Sequence, residues 1–291
     1  MKDYVRMTPV IKMENGILLI NKEAGMTSHD VVNRVRKIMH TKKVGHAGTL
    51  DPDATGVLVL CINKATKALQ FLTADEKEYI ATLSLGVATT TYDASGEVTE
   101  EKAFTGYHQL EDVLSSFVGK QKQVPPMYSA IKVKGKKLYE YAREGKTIEV
   151  EPRDIEIKEI ELLKEEGHEI TFRVKCSKGT YIRSLCVDLA KALGYPGHMK
   201  KLIRTQSGTF RIEDCITLSS LEQGDYKIIS LEEAFSSFDR IVVEDDSIVT
   251  TGKKIKSDID HQVAIYSKSG ALLAIYGPDG KGNLKSMRGL F

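Results

Sequence analysis

The sequence predicts an α+β fold: a large domain built on a mixed β-sheet with flanking helices, followed by a small all-β module. Three observations carry that expectation. Tyr79, Ala81, Leu83 and Leu85, and again Ile170, Phe172, Val174 and Cys176, recur at every second residue, the period of a strand with one buried face. Val31, Val32, Val35, Ile38 and Met39 draw an apolar stripe at helical spacing, as do Tyr181, Ile182, Leu185, Cys186, Leu189 and Leu193. From about Asp239 onward the pattern changes to short strands separated by Gly- and Ser-containing turns. At 291 residues the chain is long for one core, so the expected division is a tail over residues 1–15, a main domain over 16–236 and a module over 237–291.

Taken in order, Gly16-Ile17-Leu18-Leu19-Ile20 reads as a buried strand, and residues 22–27 as a loop. Ser28 is the expected cap of the first helix, with Asp30 in its first turn where the helix dipole favours an acid. Residues 57–62 form a second buried strand and residues 65–72 a short helix, before the strand that Tyr79 opens. Tyr107, Leu110, Val113, Leu114 and Phe117 mark another helix. After the strand ending at Cys176, Ser177-Lys178-Gly179-Thr180 turns the chain into a helix that carries Arg183 in its first turn and stops at Gly194 and Pro196. The module's strands are expected at residues 241–243, 263–266 and 272–276.

With 28% charged and 41% hydrophobic residues, the composition is that of a soluble globular protein. A net charge of only +2 means that nucleic-acid binding must rest on local clusters. Lys132, Lys134, Lys136, Lys137, Arg143 and Lys146, interleaved with Tyr139 and Tyr141, form such a cluster, which either meets phosphates or is simply a solvated face. The four cysteines are widely separated and lack a CxxC pair, which points to free thiols in a reducing cytoplasm rather than to zinc or disulfides. No signal-peptide core and no membrane-spanning run is expected, and no Walker or dinucleotide loop is present.

The stretch Gly45-His46-Ala47-Gly48-Thr49-Leu50-Asp51-Pro52-Asp53-Ala54-Thr55-Gly56 is a glycine-punctuated loop that carries an acid into an apolar strand. Asp51 is therefore the first candidate for chemistry. Asp51-Pro52-Asp53-Ala54-Thr55 also matches the DxDxT pattern of aspartate-nucleophile phosphatases, but that pattern ends a strand whereas here the strand follows. A glycosidase would need a second carboxyl group across the bond, and no partner can be singled out. Taken singly, His46 is a base, a ligand or a hydrogen-bonded loop residue; Tyr79 is half-buried core; Arg183 is a solvated or phosphate-facing charge.

Taken together, separated blocks match one family. Asn21-Lys22-Glu23-Ala24-Gly25-Met26-Thr27-Ser28, the Asp51 loop, Ala65-Thr66-Lys67, the segment from Thr89 to Gly96, Val124-Pro125-Pro126-Met127-Tyr128-Ser129-Ala130-Ile131-Lys132, Lys178-Gly179-Thr180-Tyr181-Ile182-Arg183 and Leu202-Ile203-Arg204-Thr205 resemble the bacterial TruB family of tRNA pseudouridine-55 synthases. The resemblance implies a pseudouridine-synthase-like fold and, more weakly, a PUA-type RNA-binding module at the C-terminus. It implies Asp51 as the catalytic aspartate, Tyr79 as the aromatic against the target uracil and Arg183 as the cation paired with Asp51. Lys22, His46, Tyr181 and Leu202 match positions that line the pocket or hold the displaced RNA. The implied partner is tRNA, through its T arm and T loop, met by a monomer with no cofactor and no metal. Glu23 stands where the family often has Pro, Asn63 where Gly is common and Thr90 where Asp is common. Asn63 should be mild because Asn tolerates a left-handed backbone. The rival from another class is a non-catalytic RNA chaperone that only holds a flipped base.

Overall fold

The computed structural model describes residues 15–73 and 76–291, so the expected N-terminal tail lies outside it but for Asn15. The first strands are β1 (Gly16–Lys22), β2 (Val44–Ala47), β3 (Thr55–Ile62) and β4 (Glu76–Leu85). A small ribbon, β5 (Val87–Thr89) with β6 (Val98–Glu101), precedes β7 (Gly119–Gln123) and the tight hairpin of β8 (Lys132–Val133) and β9 (Lys136–Lys137). Then come β10 (Arg153–Glu166), β11 (Glu169–Ser177), β12 (Gly197–Ser207) and β13 (Phe210–Arg211). The helices of this part are α1 (Ser28–Ile38), α2 (Leu110–Ser116), α3 (Leu138–Arg143), α4 (Ile182–Ala192), α5 (Leu218–Glu222) and α6 (Leu231–Ala234).

Nine of these strands form one sheet among the described residues, in the order β1-β3-β12-β4-β11-β10-β7, with β2 added to β3 and β13 to β12. It is mixed, as expected, because β12 runs parallel to β3 through Ile203↔Thr55 and Arg204↔Gly56, while its pairing with β4 is antiparallel. The last four residues of β3 pair with β2 and its first two with β12. The loop between β2 and β3 therefore emerges where β3 changes partner, beside the ends of β12 and β4.

The apolar runs of β1 and β3 are explained by burial on both faces. Leu18, Ile20, Leu58 and Leu60 pack under α1 through Val31, Val32 and Val35, while Ile17, Leu19, Val57 and Val59 face the other side. The alternating residues of β4 and β11 are buried beneath α4, where Ala81, Leu83, Phe172 and Val174 meet Leu185 and Leu189. The C-terminal module adds β14 (Asp239–Val242), α7 (Ser247–Thr250), β15 (Ile255–Lys256), β16 (Val263–Tyr266), β17 (Leu272–Pro278) and β18 (Asn283–Gly289), with all five strands in one sheet. Phe235, just before the expected boundary, is fully buried in a core that joins Ile17 and Val59 to Tyr266 and Ile275, so the two parts pack as neighbours.

Several local expectations shift. Thr27, not Ser28, caps α1: its hydroxyl accepts from Asp30 N (3.1 Å) and the Asp30 carboxylate accepts from Thr27 N (2.9 Å), a reciprocal capping box. Ser28 is buried instead, its hydroxyl accepting from Leu50 N (2.9 Å) and donating to Leu50 O (3.1 Å). The short helix expected at 65–72 is a 3-10 segment, Asn63–Phe71, and Asn63 opens it at φ +55°, as its tolerance of that region suggested. Strands β7, β10 and β12 carried no clean signal. In β12 irregular register between Met199 and Lys201 and between Arg204 and Gln206 breaks the two-residue period, and most of β10 lies exposed.

Gly56 sits at the crossing of β3 and β12 with φ +103°, and a Cβ there would lie 2.2 Å from the carbonyl oxygen of Arg204. The atoms it would meet belong to the Arg204 backbone, which cannot move aside cheaply. Gly56→Ala is expected to destabilise the fold by about 2–5 kcal/mol through strain and overpacking, read as a lowered thermal midpoint; an unchanged midpoint would contradict the crossing described.

Candidate active site

A cavity of about 710 Å³ opens where the β2–β3 loop, the adjoining ends of β4 and β12, the start of α4 and the segment around Tyr128 and Tyr139 converge. Asp51, Tyr79, His46, Tyr181, Arg183 and Leu202 all line it. Six of the seven residues singled out from sequence are thus brought together.

Each is held by its local structure. Ser28 pins Leu50, and the Asp51 carbonyl accepts from Ala54 N (3.1 Å), which closes the turn that presents the carboxylate. Gly48 adopts φ +89°, where a side chain would be strained, with the Arg204 guanidinium alongside. Arg183 reaches Asp51 from the first turn of α4 with two nitrogens, Nε to Oδ2 at 2.9 Å and Nη2 to Oδ1 at 3.1 Å. Such a fork fixes the orientation of the carboxylate as well as its charge. The same guanidinium donates to the carbonyls of Thr91 (3.0 Å) and Tyr128 (3.0 Å), which tie α4 to two loops. Tyr181 is the cap residue of α4, its backbone fixed at both ends by the side-chain amide of Gln123 (2.8 and 3.0 Å).

The electrostatics follow from burial and neighbours. Burial pushes the Asp51 carboxyl above its ordinary range; the Arg183 charge pulls it back and the nearby Asp93 adds to the rise. The Asp51 side chain retains 37% exposure, so the cavity is open to water on that side until something covers it. Tyr79 is buried and its phenol is pushed up to about 12, which keeps it neutral. His46 is lowered by burial, and its Nδ1 is a buried nitrogen with no hydrogen-bond partner among the described residues.

Lys22 requires correction. It is fully buried and does not line the cavity: Nζ donates to the carbonyls of Glu23 (2.9 Å), Met26 (2.7 Å) and Pro52 (2.8 Å). It clamps the 23–26 loop against the Asp51 turn, and burial lowers its pKa to about 8. The DxDxT alternative also fails on geometry, because Asp53 is exposed and outside the cavity while the partner of Asp51 is a guanidinium rather than a second acid. The basic cluster is partly spent internally. Glu144 pairs with Lys136 and Lys146, and Lys136, Lys137 and Arg143 lie over the rings of Tyr141 and Tyr139; Lys132, Lys134, Arg143 and Lys146 are its exposed members.

Two residues of the site were not singled out from sequence. Arg204 lines the cavity and is buried, 1% exposed. Asp93 lies 3.7 Å from Arg183 Nη1 through Oδ2, while its Oδ1 accepts from Thr91 Oγ1 (2.6 Å) and Ser95 N (3.1 Å). Thr90, lacking the acid common at its position, instead accepts from Glu97 N (3.1 Å), so the second carboxylate beside Arg183 comes from three residues further on. Asp93→Asn keeps the turn-forming oxygen and removes the charge. With that negative charge gone Asp51 gives up its proton more readily, so the acid limb of a pH–rate profile is expected to move to lower pH; a limb that stays in place would contradict the coupling.

Residues 36–182 match the TruB family pseudouridylate synthase N-terminal domain, and residues 183–249 match the tRNA pseudouridylate synthase B C-terminal domain. The chain is 44% identical over 295 residues to tRNA pseudouridine synthase B of Bacillus cereus, an alignment that covers 94% of this chain and 96% of the relative. It is also 44% identical over 291 residues to the protein of the same name from Bacillus pumilus, covering 91% and 93%. Among solved structures it resembles a chain of a Cbf5-Nop10-Gar1 complex, with a TM-score of 0.68 at 29% identity over 92% of this chain and 78% of that one. An H/ACA RNP bound to a substrate RNA containing 2′-deoxyuridine gives a TM-score of 0.69 at 25% identity over 95% and 85%. The fold is thus that of pseudouridine synthases, which are isomerases. Within that class, the chain belongs to the TruB family.

Proposed function

We propose that the protein converts uridine 55 in the T arm of tRNA to pseudouridine, acting as a cytoplasmic monomer without a cofactor, with Asp51, Tyr79 and Arg183 carrying the reaction. The observation that supports it most is the forked Asp51–Arg183 pair facing a cavity that Tyr79 also lines. No helix among the described residues is long and apolar enough to cross a membrane, and the relatives are named for tRNA.

The isomerisation breaks the N1–C1′ bond, turns the uracil and joins C5 to C1′; the C5 proton is lost and N1 gains one, so the change is redox-neutral. An ionised Asp51 serves either by bonding to C1′ or by taking a proton from the sugar. Arg183 favours that ionised form and holds its orientation. A stacked and paired uridine hides its glycosidic bond, so the nucleotide must be flipped out at a cost of a few kcal/mol. Stacking on an aromatic ring such as Tyr79, worth about 1–3 kcal/mol, offsets much of it. His46 and Tyr181 line the same cleft and meet the nucleotide or the space it leaves. Leu202 also lines the cleft and is buried. Since Asp51 is partly exposed in the free protein, the bound RNA supplies the cover that keeps water from the sugar.

The test is incubation of the purified protein with unmodified tRNA transcript, without nucleotide or added divalent metal, followed by mapping of pseudouridine along the product. Pseudouridine at position 55 alone is expected; its absence, or its appearance only elsewhere, would overturn the proposal.

A further inference from the structure

Two guanidiniums line the cavity, and their charges are balanced differently. Arg183 is forked onto Asp51 and has Asp93 close by. Arg204 is 1% exposed, and its hydrogen bonds run to neutral carbonyls: Nε to Val57 O (2.7 Å), Nη1 to Thr49 O (3.4 Å) and Nη2 to Gly48 O (3.2 Å). No carboxylate among the described residues lies within ion-pair distance of it. Its remaining two N–H groups are directed to neither of these carbonyls nor to an acid, and the Tyr79 hydroxyl lies against the guanidinium, Arg204 and Tyr79 being register partners on β12 and β4. A buried cation without a counter-charge is costly for a fold to keep. Bracing the Gly48–Thr49 backbone needs donors, which a neutral side chain could supply; it does not need the charge.

We propose that Arg204 is a substrate-facing electrostatic residue whose unbalanced positive charge stabilises the uracil as it departs from the sugar. The inference rests on the isomerase reading above. When N1–C1′ breaks, the bonding electron pair leaves with the base, which becomes a uracil monoanion spread over N1, O2 and O4. The pair is returned when C5 bonds to C1′, after which the C5 proton is lost and N1 is protonated. Between those events the base carries a negative charge against Tyr79, and Arg204 is already in place, so no reorganisation is needed when that charge forms. Arg183 cannot serve equally, since its charge is matched by Asp51 and Asp93.

The experiment compares RNA substrates bearing uridine or 5-fluorouridine at the target, following loss of the N-linked nucleoside under single-turnover conditions. Fluorine stabilises the departing anion by itself, so a residue that performs the same task matters less for that base. Arg204→Gln is expected to slow uridine by about 100-fold and 5-fluorouridine by less than about 10-fold. Equal slowing of both bases would assign Arg204 to bracing alone and overturn the inference, as would an unaffected rate. Should Arg204→Gln not reach the wild-type thermal midpoint, Arg204→Lys decides, since it keeps the charge and loses the fork. Less than about 10-fold slowing on uridine is then expected, whereas slowing as large as about 100-fold, equal on both bases, would overturn the inference. Failure of the wild-type protein to form pseudouridine would instead refute the isomerase reading, so the two failures are distinguishable.

Discussion

Asp51→Asn is expected to lower turnover by several orders of magnitude while leaving RNA affinity within a few-fold of wild type. The substitution preserves size and one oxygen for the Arg183 fork, so the cavity should keep its shape. What it removes is the anion, which no other acid among the described residues lining the cavity can replace: Asp53 is exposed outside the cavity, and Asp93, near Arg183, does not line it. An asparagine neither bonds to C1′ as a leaving carboxylate nor accepts a sugar proton, so each available route closes. Parallel measurements of single-turnover pseudouridine formation and of equilibrium RNA binding check this. A protein that only held a flipped base would be indifferent to the change, so retention of the wild-type effect on tRNA would favour the chaperone reading.

Arg183→Ala is the second large effect. The lost guanidinium had bonded Asp51 twice and the carbonyls of Thr91 and Tyr128, so three segments lose their common anchor. Breaking these contacts should cost about 2–4 kcal/mol of stability, below the full value for a wholly buried pair because Asp51 is partly exposed. Activity should fall by about 10²-fold or more, since carboxylate orientation and ionisation are lost together. The pH dependence gives a signed check. Burial already raises the Asp51 carboxyl, and Arg183 opposes that rise, so its removal lets Asp51 hold its proton to still higher pH. The acid limb of the pH–rate profile should therefore move upward in Arg183→Ala and downward in Asp93→Asn. Shifts of the same sign in both variants would refute the arrangement of charges around Asp51.

Much of the framework was legible from local pattern. The alternation in β4 and β11, the continuous apolar runs of β1 and β3 and the stripes of α1 and α4 each reflect a periodicity imposed by burial on one or two faces. β12 was not legible, because its bulged register scatters Met199, Leu202 and Arg204 out of a two-residue period. The match of separated blocks to one family singled out Asp51, Tyr79, His46, Tyr181, Arg183 and Leu202, which the structure places around one cavity. Lys22 was misplaced for a reason sequence does not contain: a lysine beside a loop looks solvent-seeking until three carbonyls are seen to converge on it.

The sequence by itself determined where β1, β3, β4, β11, α1 and α4 fall and which loop presents the acid, since these follow from hydrophobic period and from glycine placed where other residues are strained. Only the tertiary structure decided how charge is distributed around that acid. Asp51, Asp93, Arg183 and Arg204 are far apart in the chain, and what brings them together is the insertion of β12 between β3 and β4 with α4 docked at its end. Long-range strand pairing sets those distances, and with them which guanidinium is neutralised and which retains its charge.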